Sequence, residues 1–135
     1  MDFREGMENR FGSDSAIALA TAVDGVPAVR YVDAFYEDGC FYVLTYGLSD
    51  KMRQIAANNT VAIAGEWFTG SGVAESMGWF CKPENREIAE KMRRIFAGWI
   101  DNGHNDFTDE NTIILRIRLT RGVLFYNGTK YVWKE

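Results

Sequence analysis

Asp24-Gly25 stands between two apolar, β-compatible runs, and no other feature of this 135-residue sequence constrains the fold as tightly. An Asp-Gly pair accepts the positive φ angles that a two-residue hairpin turn demands, so its flanks become neighbouring antiparallel strands. Ala16 to Val23 is the first strand, and Ala28 to Tyr36 returns as the second. Strand alternation places Val29, Tyr31, Asp33 and Phe35 on one face of the second strand. Ala28, Arg30, Val32 and Ala34 take the other. Asn127-Gly128 repeats the signal between the long alternating run Thr112 to Phe125 and a last strand, Thr129 to Lys134. Gly122 is expected to bend the long strand.

The remaining elements follow from the same two periodicities. Glu37-Asp38-Gly39 turns into a third strand around Phe41 to Thr45. Thr60 to Glu66 is a fourth, Thr69-Gly70-Ser71-Gly72 reads as a turn, and Val73 to Ser76 opens a fifth. Phe3, Met7 and Phe11 recur at helical spacing, which predicts a short N-terminal helix ended by Gly12-Ser13-Asp14. Pro83 to Ile100 reads as one long helix, with Pro83 at its first position and Glu84 and Glu87 at the positive end of its dipole. Its stripe of Ile88, Met92, Ile95, Phe96 and Trp99 reads as core, and Asp101-Asn102-Gly103 ends it. The sum is a single domain over 1–135, mainly β within the α+β class. Six or seven antiparallel strands in a chain of this length favour a closed or half-closed barrel, because closure removes sheet edges.

The stretch Cys40 to Asn59 carries the most chemistry. A β-rich run leads through Tyr46-Gly47-Leu48 to Ser49, which stands where a helix N-cap belongs. Met52, Ile55 and Ala56 then follow at helical spacing, and Asn58-Asn59 closes the helix. Free N–H groups, the positive end of the dipole and the ammonium of Lys51 together make a candidate anion site. Two facts weigh against it. Most Ser-capped surface helices bind nothing, and Asp50 satisfies the dipole by itself.

Composition narrows the function. A hydrophobic fraction of 47% with 14% aromatics describes a folded domain. The net charge of −4 is interspersed and shows no basic face, which argues against nucleic acid. No apolar run approaches the roughly 20 residues that cross a bilayer. The charged start MDFREGMENR has no hydrophobic signal region, so the cytoplasm is the expected location. Cys40 and Cys81, far apart and without a C-x-x-C pattern, read as reduced, buried thiols. Gly70-Ser71-Gly72-Val73-Ala74-Glu75 lacks the third glycine of a dinucleotide fingerprint and lies between strands, so that reading is rejected. His104, the one histidine, sits in a polar loop and reads as solvated. No nucleophile–base arrangement, carboxylate pair or metal-ligand spacing stands out, so the catalytic residues stay unknown. Any catalysis by this chain would be carried by a cofactor.

The order ALATAVDGVPAVRYV, FYVLTYGLSDKMRQIAANNTVAIAGEW and GSGVAE resembles the pyridoxamine 5′-phosphate oxidase-like family, the FMN-binding split barrels, over roughly residues 15 to 76. The resemblance implies a six- to seven-stranded antiparallel split β-barrel with a small inserted helix and one long helix in the C-terminal half. It implies FMN as cofactor, with Arg30 reaching the phosphate or ribityl chain, Tyr31 and Val32 following along the flavin, and Thr45 offering its hydroxyl or backbone to the ring. Ser49 and Lys51 would hold the phosphate, where the helix N-terminus already places an anion. Plainer roles stand beside these: Arg30 as a cross-strand partner of Asp33 or Glu66, and Thr45 as ordinary strand filler.

The family pattern also implies a homodimer with two flavins at the subunit interface, a small-molecule substrate, and flavin-dependent redox chemistry on a conjugated acceptor. Trp67, Phe68 and Trp79 suit either that interface or the chain's own core. Two departures matter. Asp50 stands where many relatives carry a second basic residue, and the chain stops at Tyr131-Val132-Trp133-Lys134-Glu135 without the basic substrate segment of the vitamin-forming oxidases. That reaction is therefore not expected. A non-catalytic flavin- or haem-binding module, a deazaflavin site, or a barrel that has lost its cofactor remain as alternatives.

Overall fold

A computed structural model describes every residue from Met1 to Glu135. Three hairpin turns set its sheet. Asp24-Gly25, Asp38-Gly39 and Asn127-Gly128 each hold two successive residues at positive φ, between 48° and 85°. That is the turn whose twist matches antiparallel strands. They join β1 (Ser15–Val23) to β2 (Val26–Glu37), β2 to β3 (Cys40–Tyr46), and β6 (Thr112–Tyr126) to β7 (Thr129–Lys134). Between them lie α2 (Asp50–Ala57), β4 (Thr60–Gly65) and β5 (Phe68–Trp79).

The strands run in the order β3-β2-β1-β4-β5-β6-β7, and β3 also pairs with β6. That second pairing closes six strands into an antiparallel barrel and leaves β7 outside. Strand β6 is long enough to serve two neighbours on one edge. Its first half, Thr112 to Arg118, pairs with β3, and Arg121 to Tyr126 pairs with β7. The split lies between β2 and β3. Their ladder covers three residue pairs, Phe35 with Tyr42, Tyr36 with Phe41 and Glu37 with Cys40, after which the strands part. Facing edges of β2 before Phe35 and of β3 after Tyr42 therefore carry no ladder partner.

The segment Thr69-Gly70-Ser71-Gly72 corrects the sequence reading. It is not a turn but the interior of β5, and the chain reverses one step earlier at Glu66-Trp67, with Trp67 at φ 53°. The glycines answer a close approach of backbones. A Cβ on Gly70 would stand 2.8 Å from the carbonyl of Arg121, and one on Gly72 would stand 2.6 Å from that of Arg118. Beside them the β5–β6 register slips by a bulge between Ser71 and Gly72.

Two apolar clusters hold the barrel. The first fills its interior with Ile17, Leu19, Phe41, Val43, Ile63, Leu115 and Ile117, among others. Helix α1 (Phe3–Phe11), capped by Asp2 through the Glu5 N–H, adds Phe3, Met7 and Phe11 to it, as their spacing predicts. Phe68 belongs to this cluster, so of its two readings the core one holds. The second cluster covers the outside of the barrel, where Met92, Phe96 and Ile100 meet Phe35, Phe80 and Ile114.

Pro83 to Ile100 is not one continuous α-helix. Pro83–Asn85 makes a 3₁₀ turn, and the buried Asn85 amide donates to the carbonyls of Met77 and Trp79. Helix α3 (Arg86–Ile95) follows. Beyond it the N–H groups of Trp99 and Ile100 both donate to the Phe96 carbonyl. Gly98 weakens helix here by about 1 kcal/mol relative to alanine, while Phe96 and Ile100 stay docked on the barrel. No helix is long and apolar enough to cross a membrane.

Candidate functional site

Arg30 lies midway along β2, opposite Leu19 of β1. Its side chain leaves the face shared with Val32 and Ala34 and crosses β1 toward α2. Nη1 donates to the Leu19 carbonyl (3.2 Å) and to Thr21 Oγ1 (3.0 Å), and Nη2 donates to Gln54 Oε1 (2.6 Å). The buried Thr21 hydroxyl in turn donates to Gln54 Oε1 (2.6 Å). Neither carboxylate weighed as its partner is used. Glu66 lies 3.8 Å from Arg10, and Asp33 is exposed, its pKa raised first by burial and then by the charge of Asp14.

Lys51 enters from the first turn of α2. Its Nζ donates to Thr45 Oγ1, from the end of β3, and to Ser49 Oγ at 3.4 Å. Ser49 is the N-cap that the sequence predicts, its Oγ accepting the Met52 N–H at 3.4 Å. Burial, and after it the nearby charge of Arg30, hold the Lys51 pKa below its ordinary value. The charge of Arg30 thus works against the Lys51 ammonium. Asp50, the residue that argued against an anion here, pairs with Arg53 instead and is highly exposed.

The cations of this chain sort cleanly. Arg10, Lys91 and Arg116 are the other partly buried basic side chains, and each has a carboxylate partner: Glu66, Glu37 and Glu75. Arg30 and Lys51 have none, in a chain that carries 19 acidic residues. Two half-buried, unpaired positive charges cost stability. An anion that completes them recovers that cost. The donor set is a guanidinium, an ammonium and the hydroxyls of Thr45 and Ser49, with no carboxylate among them. It fits a phosphate dianion.

The structure therefore brings together Arg30, Thr45, Ser49 and Lys51. Val32 packs against the barrel core, while Tyr31 leaves the opposite face of β2 and is 82% exposed. The sequence reading missed Thr21 and Gln54. Both had a signal: Thr21 is the diagonal neighbour of Arg30 once the first hairpin register is known, and Gln54 follows Lys51 at helical spacing.

Of the other candidates, Trp67 is 70% exposed, whereas Trp79 is half-buried and donates its indole N–H to the Phe107 carbonyl. His104 is exposed in the loop after α3. Both cysteines are free. Cys40 is half-buried, but Cys81 is exposed rather than buried, because it falls in the turn just past β5, outside the second cluster. The hollow beside Cys81, about 440 Å³, is lined by Phe80, Lys82, Arg86 and Arg93 and lies apart from the cation pair.

No family model matches the sequence, and no curated protein matches it. Solved structures do match in fold. An FAD-binding protein from Mesorhizobium loti superposes with a TM-score of 0.70 at 16% identity, over 90% of this chain and 92% of that one. An F420 reductase gives 0.68 at 18% identity, over 85% and 94%. HutZ, the heme storage protein from Vibrio cholerae, gives 0.66 at 17%, over 88% and 91%. The chain has the split-barrel fold that the resemblance implied.

Proposed function

We propose that this chain is an FMN-binding flavoprotein that works as a homodimer, with flavin at the subunit interface, in redox chemistry on a small conjugated acceptor such as a quinone or nitroaromatic. The observation that carries the reading is the pair Arg30 and Lys51, half-buried and without a carboxylate, Arg30 held by Thr21 and Gln54 and Lys51 by the hydroxyls of Thr45 and Ser49. FMN is a flavin with a terminal phosphate, which that donor set suits. The likeness in fold to an FAD-binding protein and an F420 reductase supports a flavin-type cofactor.

When bound, FMN supplies the electron chemistry that the side chains lack. The chain's own part is to hold the phosphate. Arg30 offers a planar fork of N–H donors and Lys51 a point charge, and the Ser49 hydroxyl caps the helix that points its dipole the same way.

A second subunit is supported by what surrounds the split. Val29 and Tyr31 stand exposed on the outer face of β2, Val26 is exposed at its start, and Tyr46 and Leu48 are exposed on the far side of the gap. Exposed apolar residues beside unpaired strand edges are a surface that a second copy would cover.

The heme storage relative makes haem the competing cofactor. Against it, the one histidine lies in an exposed loop and not beside the cations. The test is to incubate the purified protein with FMN, riboflavin or haemin and to remove unbound ligand by gel filtration. Retained flavin bands with FMN, weaker ones with riboflavin, and no sharpened Soret band with haemin support the reading. Retention of haemin alone overturns it. Reduced, FMN-loaded protein should then be reoxidised by quinones faster than free reduced FMN. Equal rates would reduce the proposal to a flavin-binding module.

A further inference from the structure

Gln54 is the one side chain that touches both the strand cation and its buried support. Its Oε1 accepts from Arg30 Nη2 and from Thr21 Oγ1, both at 2.6 Å. Thr21 Oγ1 accepts from Arg30 Nη1 at 3.0 Å, which closes a ring of three side chains. Within the ring the hydroxyl donates once and accepts once, and both lone pairs of the amide oxygen are taken. Arg30 spends three of its five donors here and on the Leu19 carbonyl. The donors left over are Nε–H and the second N–H of Nη2. They share one edge of the guanidinium plane, the edge that meets two oxygens of a phosphate side by side.

We propose that Gln54, supported by Thr21, is a positioning residue for the anion site: it fixes the plane of Arg30 while leaving that residue's positive charge uncancelled. A glutamate has nearly the same shape and would accept the same two hydrogen bonds. It would also pair with Arg30 and spend the charge that the phosphate needs. Arg10, Lys91 and Arg116 are all held by carboxylates, and Arg30 is held by an amide. The neutral amide is thus a choice of charge as well as of shape. This inference rests on the phosphate reading given above.

The test compares FMN with riboflavin, which lacks the phosphate, in Gln54→Glu and Thr21→Val. For Gln54→Glu the expected result is a melting temperature unchanged or raised, riboflavin affinity within about threefold of wild type, and FMN affinity at least about tenfold weaker. Thr21→Val keeps the volume and removes the hydroxyl. It should weaken FMN by roughly three- to tenfold with riboflavin unmoved, and Thr21→Ser should restore it. A merely structural role would weaken both ligands alike, and that result overturns the proposal. So does an FMN-to-riboflavin ratio equal to wild type in both variants. Should the wild-type protein itself bind the two ligands equally, the phosphate reading fails first, and this inference falls with it.

Discussion

Asp50 is ion-paired to Arg53, three residues further along α2, and this pairing removes the one carboxylate that the sequence places next to Lys51. Both partners are largely exposed, so the pair contributes little to stability. Its effect is one of direction: the negative charge belongs to the solvent side of the helix. Asp50→Asn should therefore change FMN affinity by less than about threefold. An isothermal titration showing a tenfold gain would mean that the carboxylate acts on the anion site after all.

Lys51 gives the site a pH dependence. Burial first, and Arg30 second, lower its pKa below the ordinary 10.5. As pH rises, the folded chain gives up this proton before the unfolded chain does. Over that window the unfolded state binds more protons, so this residue makes stability rise with pH up to 10.5. Phosphate binding moves the opposite way, because the ammonium is what the anion needs. The ratio of FMN to riboflavin affinity should fall as pH climbs, beginning below 10.5, and taking the ratio cancels titration of the ring itself. Lys51→Met should flatten the curve. A ratio in the wild type that is constant up to pH 10.5 would contradict this placement of Lys51.

Gly72 tests the fold independently of any ligand. A methyl group there would stand 2.6 Å from the Arg118 carbonyl, a backbone atom that cannot swing aside. Gly72→Ala should cost about 1–3 kcal/mol, read as a lower urea midpoint. Gly98→Ala meets nothing within 4 Å and should be neutral or mildly stabilising in the same assay.

Tyr31 tests the assembly. If the outer face of β2 meets a second copy, the wild-type chain sediments as a dimer at micromolar concentration, and FMN raises its melting temperature by linkage. Tyr31→Glu places a charge in that contact and should shift the chain toward monomer. A wild-type chain that is monomeric with flavin bound would refute the shared site.

The first hairpin is the part of the site most legible in the sequence. A two-residue turn at Asp24-Gly25 fixes Leu19 opposite Arg30, and with it Thr21 on the same face one diagonal away. The Ser49 cap and the helix it starts are equally local, so they too are readable. What cannot be read locally is the pairing of β3 with β6, residues some seventy positions apart. That closure sets where Thr45 sits and leaves β2 and β3 parted. The same limit explains Thr69 to Gly72. Two glycines serve a turn or a tight strand crossing equally well, and only the partner strand decides between them. At Pro83 to Ile100 the apolar stripe continues through tight turns after the α-helix has ended, so periodicity overstates its length.

The most direct test of the central claim is a paired titration of Lys51→Ala with FMN and with riboflavin. Removing the ammonium deletes a charge-assisted contact of about 1.5–3 kcal/mol, so FMN affinity should fall by roughly ten- to a hundredfold. Riboflavin affinity should stay within about twofold. Equal weakening of the two ligands, or none for either, would show that Lys51 does not hold a phosphate.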